Sequence, residues 1–131
     1  MGLKYLWDTN TVIYYLQKGF TDEVQERMNN IINNHQPAIS VITEIELLCW
    51  RSASEKDILL LKSFIGDSVV YELDQRIKIK TIELRKELKT KLPDTIIAAS
   101  AVVNNHILIS RNVSDFVKVP CLEVVNPFNL G

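Results

Sequence analysis

Short apolar runs alternate along the chain with longer stretches in which apolar positions recur every three or four residues. Residues 3–7 read as a strand and residues 10–17 as an apolar helix, closed by Lys18-Gly19. Thr21 or Asp22 caps the next helix, which runs to about Asn34 and buries Val24, Met28, Ile31 and Ile32 as one stripe. The segment 33–37 reads as a turn and residues 38–41 as a second strand. A helix begins at Ser40 or Thr43 and passes through Trp50; residues 52–55 break it. Residues 55–65 form another helix, ended by a turn at Gly66-Asp67. Residues 68–73, with Val69, Val70 and Tyr71, make a third strand. A long helix spans 74 to about 91, and Pro93-Asp94 interrupts it. Residues 96–103 form a helix that is apolar nearly all round. Residues 106–109 and 122–125 are the last two strands, with the polar loop 110–115 after the first of them.

Apolar strands alternating with helices predict an α/β fold, a parallel sheet covered by helices on both faces. In such a sheet the polar residues after the first and fourth strands, at Asp8 and Ser110, fall on one edge, where open α/β sheets bind ligands.

Composition narrows the class. The chain has 131 residues, 47% apolar and 24% charged, enough for a single domain over residues 1–131 and too few for two. No apolar run reaches the roughly 18 residues of a membrane span, and the N-terminal pattern is not that of a signal peptide. Cys49 and Cys121 lie in apolar runs without metal-like spacing, which suggests reduced core cysteines and a cytoplasmic protein. The formal net charge is −1, so no global basic field advertises nucleic acid. The segment 74–91 is nevertheless locally basic. It carries Arg76, Lys78, Lys80, Arg85, Lys86, Lys89 and Lys91 against Asp74, Glu83 and Glu87.

Four carboxylates stand at element ends or beside the core: Asp8, Glu44, Asp94 and Asp115. Each also has a plain structural reading. Asp8 and Asp94 could simply cap helices, Glu44 could favour a helix dipole, and Asp115 could shape a loop. Glu44 shares a helical face with Leu47 and Leu48, whereas Glu46, two residues on, points elsewhere into solvent. Gathered on one sheet edge, four like charges require a cation. Oxygen donors without a His or Cys cluster favour Mg²⁺ or Mn²⁺ over zinc.

Four stretches carry a resemblance to a known family. They are Trp7-Asp8-Thr9-Asn10, the run 40–47 (SVITEIEL), the run 92–99 (LPDTIIAA) and the run 109–116 (ISRNVSDF). In this order and spacing the chain resembles the PIN-domain ribonucleases, specifically the VapC-type toxins of bacterial toxin–antitoxin pairs. The resemblance implies a three-layer α/β/α sandwich and metal-dependent hydrolysis of RNA phosphodiesters, leaving a 5′-phosphate and a 3′-hydroxyl. It puts the family's acidic quartet on Asp8, Glu44, Asp94 and Asp115, with Asp8 and Asp94 as direct ligands of Mg²⁺ or Mn²⁺. Thr9, Asn10, Ser110, Arg111 and Asn112 would orient those ligands or contact phosphate. Asn112 stands where many relatives have an acid, so the fourth corner is shared between Asn112 and Asp115. The family further implies a homodimer and a small antitoxin partner.

Two other readings are distinguishable. A phosphatase of the haloacid dehalogenase type would carry a second aspartate where this chain has Asn10. A PIN-like binding module without activity would account for the amide at Asn112.

Overall fold

The computed structural model describes residues 3–129; of the expected domain, residues 1, 2, 130 and 131 lie outside the described residues. Among the described residues five parallel strands form one sheet in the order β3-β2-β1-β4-β5. They are β1 (Leu3–Trp7), β2 (Gln36–Ser40), β3 (Val69–Tyr71), β4 (Ile107–Ile109) and β5 (Val124–Val125). Seven α-helices among the described residues connect and cover them: α1 (Thr9–Leu16), α2 (Asp22–Asn34), α3 (Val41–Leu48), α4 (Glu55–Asp67), α5 (Gln75–Glu87), α6 (Leu92–Val103) and α7 (Val113–Phe116).

Strand periodicity divides the core into two layers. Successive residues of a strand face opposite sides of the sheet. Leu6 pairs with Ala38 and Leu108, and these three join Ile77, Leu84 and Ile97 of α5 and α6 on one face. Trp7 pairs with Ile109, and with Ile39 they join Val12, Met28, Leu47, Leu61 and Phe64 on the other. The expected α/β/α sandwich is thus the observed one. Helix α6 buries every residue from Thr95 to Ala101. Alanines at 98, 99 and 101 let it approach closely, and the Thr95 and Ser100 hydroxyls donate back to the carbonyls of Lys91 and Ile96, so its buried polar groups are satisfied.

Several boundaries differ from the expected ones. Strand β2 starts two residues early and takes in Pro37, beside a register irregularity against β1, where the missing ladder donor is tolerated. Helix α4 continues through Gly66-Asp67. Helix α5 stops at Glu87, because Leu88 turns extended and packs on the core beside α6. Pro93 does not interrupt a helix but opens one; it lies in the first turn of α6, where its absent N–H would have no partner. Asp94 is therefore in the first turn of α6 rather than its cap. Part of the loop 110–115 is the short helix α7. Both cysteines are exposed rather than in the core: Cys49 ends α3, and Cys121 takes a left-handed φ of 64°.

Leu108→Ala removes a fully buried side chain on the central face and is expected to cost about 2–5 kcal/mol in urea unfolding. Leu59→Ala, at 69% exposure, is expected to stay within about 0.5 kcal/mol of the parent with an unchanged m-value.

Candidate metal and phosphate site

Strand β1 is central, and its successor residue is Asp8. The Asp8 amide still donates to Ile109 O at 3.0 Å, so the ladder with β4 extends to the carboxylate itself. Asp8 Oδ1 accepts from the Thr9 amide at 2.9 Å, and Oδ2 accepts from Ser110 Oγ at 2.7 Å. Ser110 is fully buried just after β4, and its Oγ also accepts from the Asn112 amide at 3.0 Å. Capping and site placement are therefore the same arrangement: the bonds that start α1 aim Asp8 into the edge.

Thr9 reaches across to α3. Its Oγ1 lies 2.6 Å from Glu46 Oε1 and 3.1 Å from Thr43 Oγ1. A hydroxyl has one proton, which goes to the carboxylate; Thr43 then donates to Thr9. Glu46 is thus the α3 acid brought to the edge, and it lines the cleft there. This corrects the expectation for Glu44, which is half-buried and is not among the residues lining the cleft. The reason is rotational. Thr43 and Leu47 are the buried residues of α3. At about 100° per residue, Glu44 and Glu46 flank that inward face on opposite sides. Only the side next to α1 meets Asp8.

Asp8, Thr9, Asn10, Tyr14, Glu46, Asp94, Arg111 and Asn112 together line an open cleft of about 550 Å³. Asp115 does not line it. Asp115 Oδ2 accepts from Asn112 Nδ2 at 2.7 Å, and Asp115 lines the next groove with Asp94. The structure thus places the Asn112 amide in the cleft and the Asp115 carboxylate behind it. Asn10 presents an amide, not an acid, to the cleft.

Charge here is crowded. Burial pushes the Asp8 carboxyl above its ordinary range, the Ser110 and Thr9 bonds pull it back, and Asp94 and Glu46 push it up again. Asp94 is raised first by burial, then by Glu46 and Asp115, with Lys91 partly opposing. Arg111 lies on the rim but forms no ion pair with these acids. Its Nη1 donates to Tyr14 OH at 2.9 Å, and its guanidinium sits 4.7 Å from the Phe128 ring centroid and 5.8 Å from that of Tyr14. Tyr14 itself packs against Gly19, where a Cβ would come within 2.7 Å of the ring.

Among the described residues no three His, Cys, Asp or Glu side chains already converge as a finished metal shell. The donor chemistry nonetheless fits a hard divalent cation: carboxylate and amide oxygens, two acids raised by burial and neighbouring carboxylates, and neither histidine in the cleft. Sequence reasoning missed Glu46, Thr43 and Tyr14. For Tyr14 a signal existed, since it lies four residues after Asn10 on the same helical face.

A PIN domain family model matches residues 5–120. The tRNA(fMet)-specific endonuclease VapC of Salmonella typhimurium is 29% identical over 130 residues, covering 93% of this chain and 96% of that protein. Ribonuclease VapC2 of Rickettsia felis is 28% identical over 130 residues, covering 93% and 96%. Among solved structures, DNA-bound VapBC from Salmonella typhimurium superposes with a TM-score of 0.82 at 26% identity, over 95% of this chain and 98% of that one. VapBC2 from Rickettsia felis, with a TM-score of 0.77 at 23% identity over 96% and 98%, shares the fold.

A raised folded-state pKa on a carboxyl means that stability is greatest below the unfolded pKa and falls as pH rises through the folded one. Without divalent metal, Asp8→Asn is therefore expected to raise the thermal midpoint at neutral pH, with an advantage that vanishes once acid protonates the carboxylates. Added Mg²⁺ or Mn²⁺ should raise the midpoint of the parent, a stabilisation of about 2.7 kcal/mol at 100 times the dissociation constant. It should raise that of Asp8→Asn far less. Melting curves over pH and metal concentration read both.

Proposed function

The chain belongs to the PIN domain family, and from that premise we propose that it is a metal-dependent endoribonuclease, the toxin of a toxin–antitoxin pair. The single observation that carries the reading is that Asp8, Glu46 and Asp94 line one cleft at the carboxyl edge of the sheet.

Asp8 and Asp94 are the residues that would hold Mg²⁺ or Mn²⁺, with Asn112 and Asp115 completing the fourth corner. A divalent ion bound there supplies positive charge for the phosphate and acidifies water. The protein's own residues do the positioning. Ser110 and Thr9 lock the Asp8 carboxylate in one orientation. Thr9 holds one oxygen of Glu46, leaving the other to orient the attacking water and receive its proton. The water oxygen bonds to phosphorus in line as the bond to the 3′ oxygen breaks. The products are a 5′-phosphate and, once protonated, a 3′-hydroxyl. Arg111, already fixed by Tyr14 and Phe128, offers remaining N–H donors to phosphate oxygens. Asn10 lines the same cleft and can contact the sugar or phosphate.

The Salmonella and Rickettsia proteins named above are an endonuclease and a ribonuclease, and their solved neighbours are VapBC assemblies. That likeness supports action on RNA and pairing with an antitoxin protein; a cytoplasmic location and a homodimer are part of the same proposal. Ile45 and Leu48, exposed three residues apart on one flank of α3, offer such a partner apolar side chains to cover. Among the described residues no helix is long and apolar enough to cross a membrane.

Incubation of total RNA with Mg²⁺ or Mn²⁺ tests the reading. The parent should cut, and Asp8→Asn, Asp94→Asn and Glu46→Gln should each lose on the order of 10²-fold or more in rate. Glu44→Gln should keep most of the activity. Cleavage that survives Asp8→Asn and Asp94→Asn would sink the metal-site assignment.

A further inference from the structure

Beside the acidic cleft runs a second groove of about 220 Å³, and the two share Asp94. Lys89, Lys91 and Lys118 line it. The connection between α5 and α6 that carries two of these lysines is braced. The Arg85 guanidinium donates to Thr90 O. The Thr90 and Thr95 hydroxyls are 2.6 Å apart, and Thr95 Oγ1 donates to Lys91 O at 2.8 Å. The backbone on either side of Lys89 and Lys91 is thereby pinned, and both side chains are left exposed.

Basic residues at a helix end have a plain explanation in the helix dipole, and it suffices for Arg85 and Lys86 in the last turn of α5. It does not cover Lys89 and Lys91, which lie beyond the helix, or Lys118, which comes from the segment after α7. Among the other bases of the segment 74–91, Lys80 pairs with Glu83 at 3.2 Å and Arg76 donates to Val103 O at 2.8 Å, while Lys78 and Lys86 do not line the groove. Among the described residues Lys89, Lys91 and Lys118 are in no ion pair. Three unpaired ammonium groups thus stand against an acidic site, on a fixed frame.

We propose that Lys89, Lys91 and Lys118 form a shelf that binds the RNA backbone on one flank of the cut phosphate. Arg111 bears on the strand at the cleft rim. The inference rests on the ribonuclease reading of the cleft and adds the path by which the strand leaves it. An acidic peptide is the competing occupant. The groove favours RNA because it runs on from the cleft through Asp94 and its lining offers one apolar side chain, Leu88, where peptide recognition needs several apolar anchors.

The test is binding of a short fluorescent RNA oligonucleotide to the full chain in EDTA, where cleavage is blocked, across a series of salt concentrations. The triple variant Lys89→Gln, Lys91→Gln, Lys118→Gln should bind more weakly. Its slope of log affinity against log salt should be shallower by about 2, at roughly 0.7 per lost single-strand phosphate contact. The triple Lys→Arg variant should keep the parent slope, as should Lys56→Gln with Lys62→Gln on α4 in the opposite layer. A parent that binds no RNA at low salt, a Gln variant with the parent slope, or a Gln variant that loses an acidic peptide but not RNA would each overturn the shelf. Cleavage with metal separates the two ideas. A parent that cuts RNA while the Gln variant binds with the parent slope leaves the nuclease reading standing without the shelf. A parent that binds through the shelf and cuts nothing leaves the shelf without the nuclease.

Discussion

The structure depends on one buried carboxylate at the end of the central strand. Asp8 is 8% exposed, and an ionised group so placed is costly unless its oxygens are bonded. The pairing of β1 with β4 supplies the answer. It brings Ser110 beside Asp8 from about a hundred residues away and lets the hydroxyl donate to Oδ2. The start of α1 supplies the second donor, the Thr9 amide. One acid therefore ties the central strand, its neighbour and the first helix together, and the same bonds fix where its remaining lone pairs point.

The rest of the cleft follows from placing more negative charge around that point without neutralising it. Glu46 is steered by a threonine hydroxyl and not by a base. Arg111 is near enough to line the cleft but is occupied by Tyr14 and Phe128. The outcome is an edge where acids repel one another and burial opposes their ionisation. Such an edge stores a demand for a cation, which is what a hydrolase acting on phosphates needs.

The basic residues are sorted by the same tertiary frame. As a linear segment, 74–91 carries a net excess of basic residues. In three dimensions Arg76 and Arg85 brace the α5–α6 hairpin, and Lys80 pairs along its own helix. Lys89 and Lys91 remain to face the groove, where Lys118 joins them from a distant segment. Local charge excess identified the region, and the turn between α5 and α6 decided which of its bases line the groove.

The order and type of the elements were determined by the chain itself, because period-two and period-three-to-four patterning directly encode which residues face a core. Asp8, Asp94 and the Asn112–Asp115 corner were legible for the same reason: each interrupts an apolar pattern at an element end. Boundaries at Pro93, Gly66 and Leu88 were not, since helix-breaking chemistry is position-dependent and packing decides the position. The choice between Glu44 and Glu46 lay beyond any reading of α3 alone. Both flank the buried Thr43–Leu47 face, and a helix pattern fixes which side is inward but not what stands beside each flank. Only the docking of α3 against α1, with Thr9 reaching over to one glutamate, decided which acid belongs to the cleft.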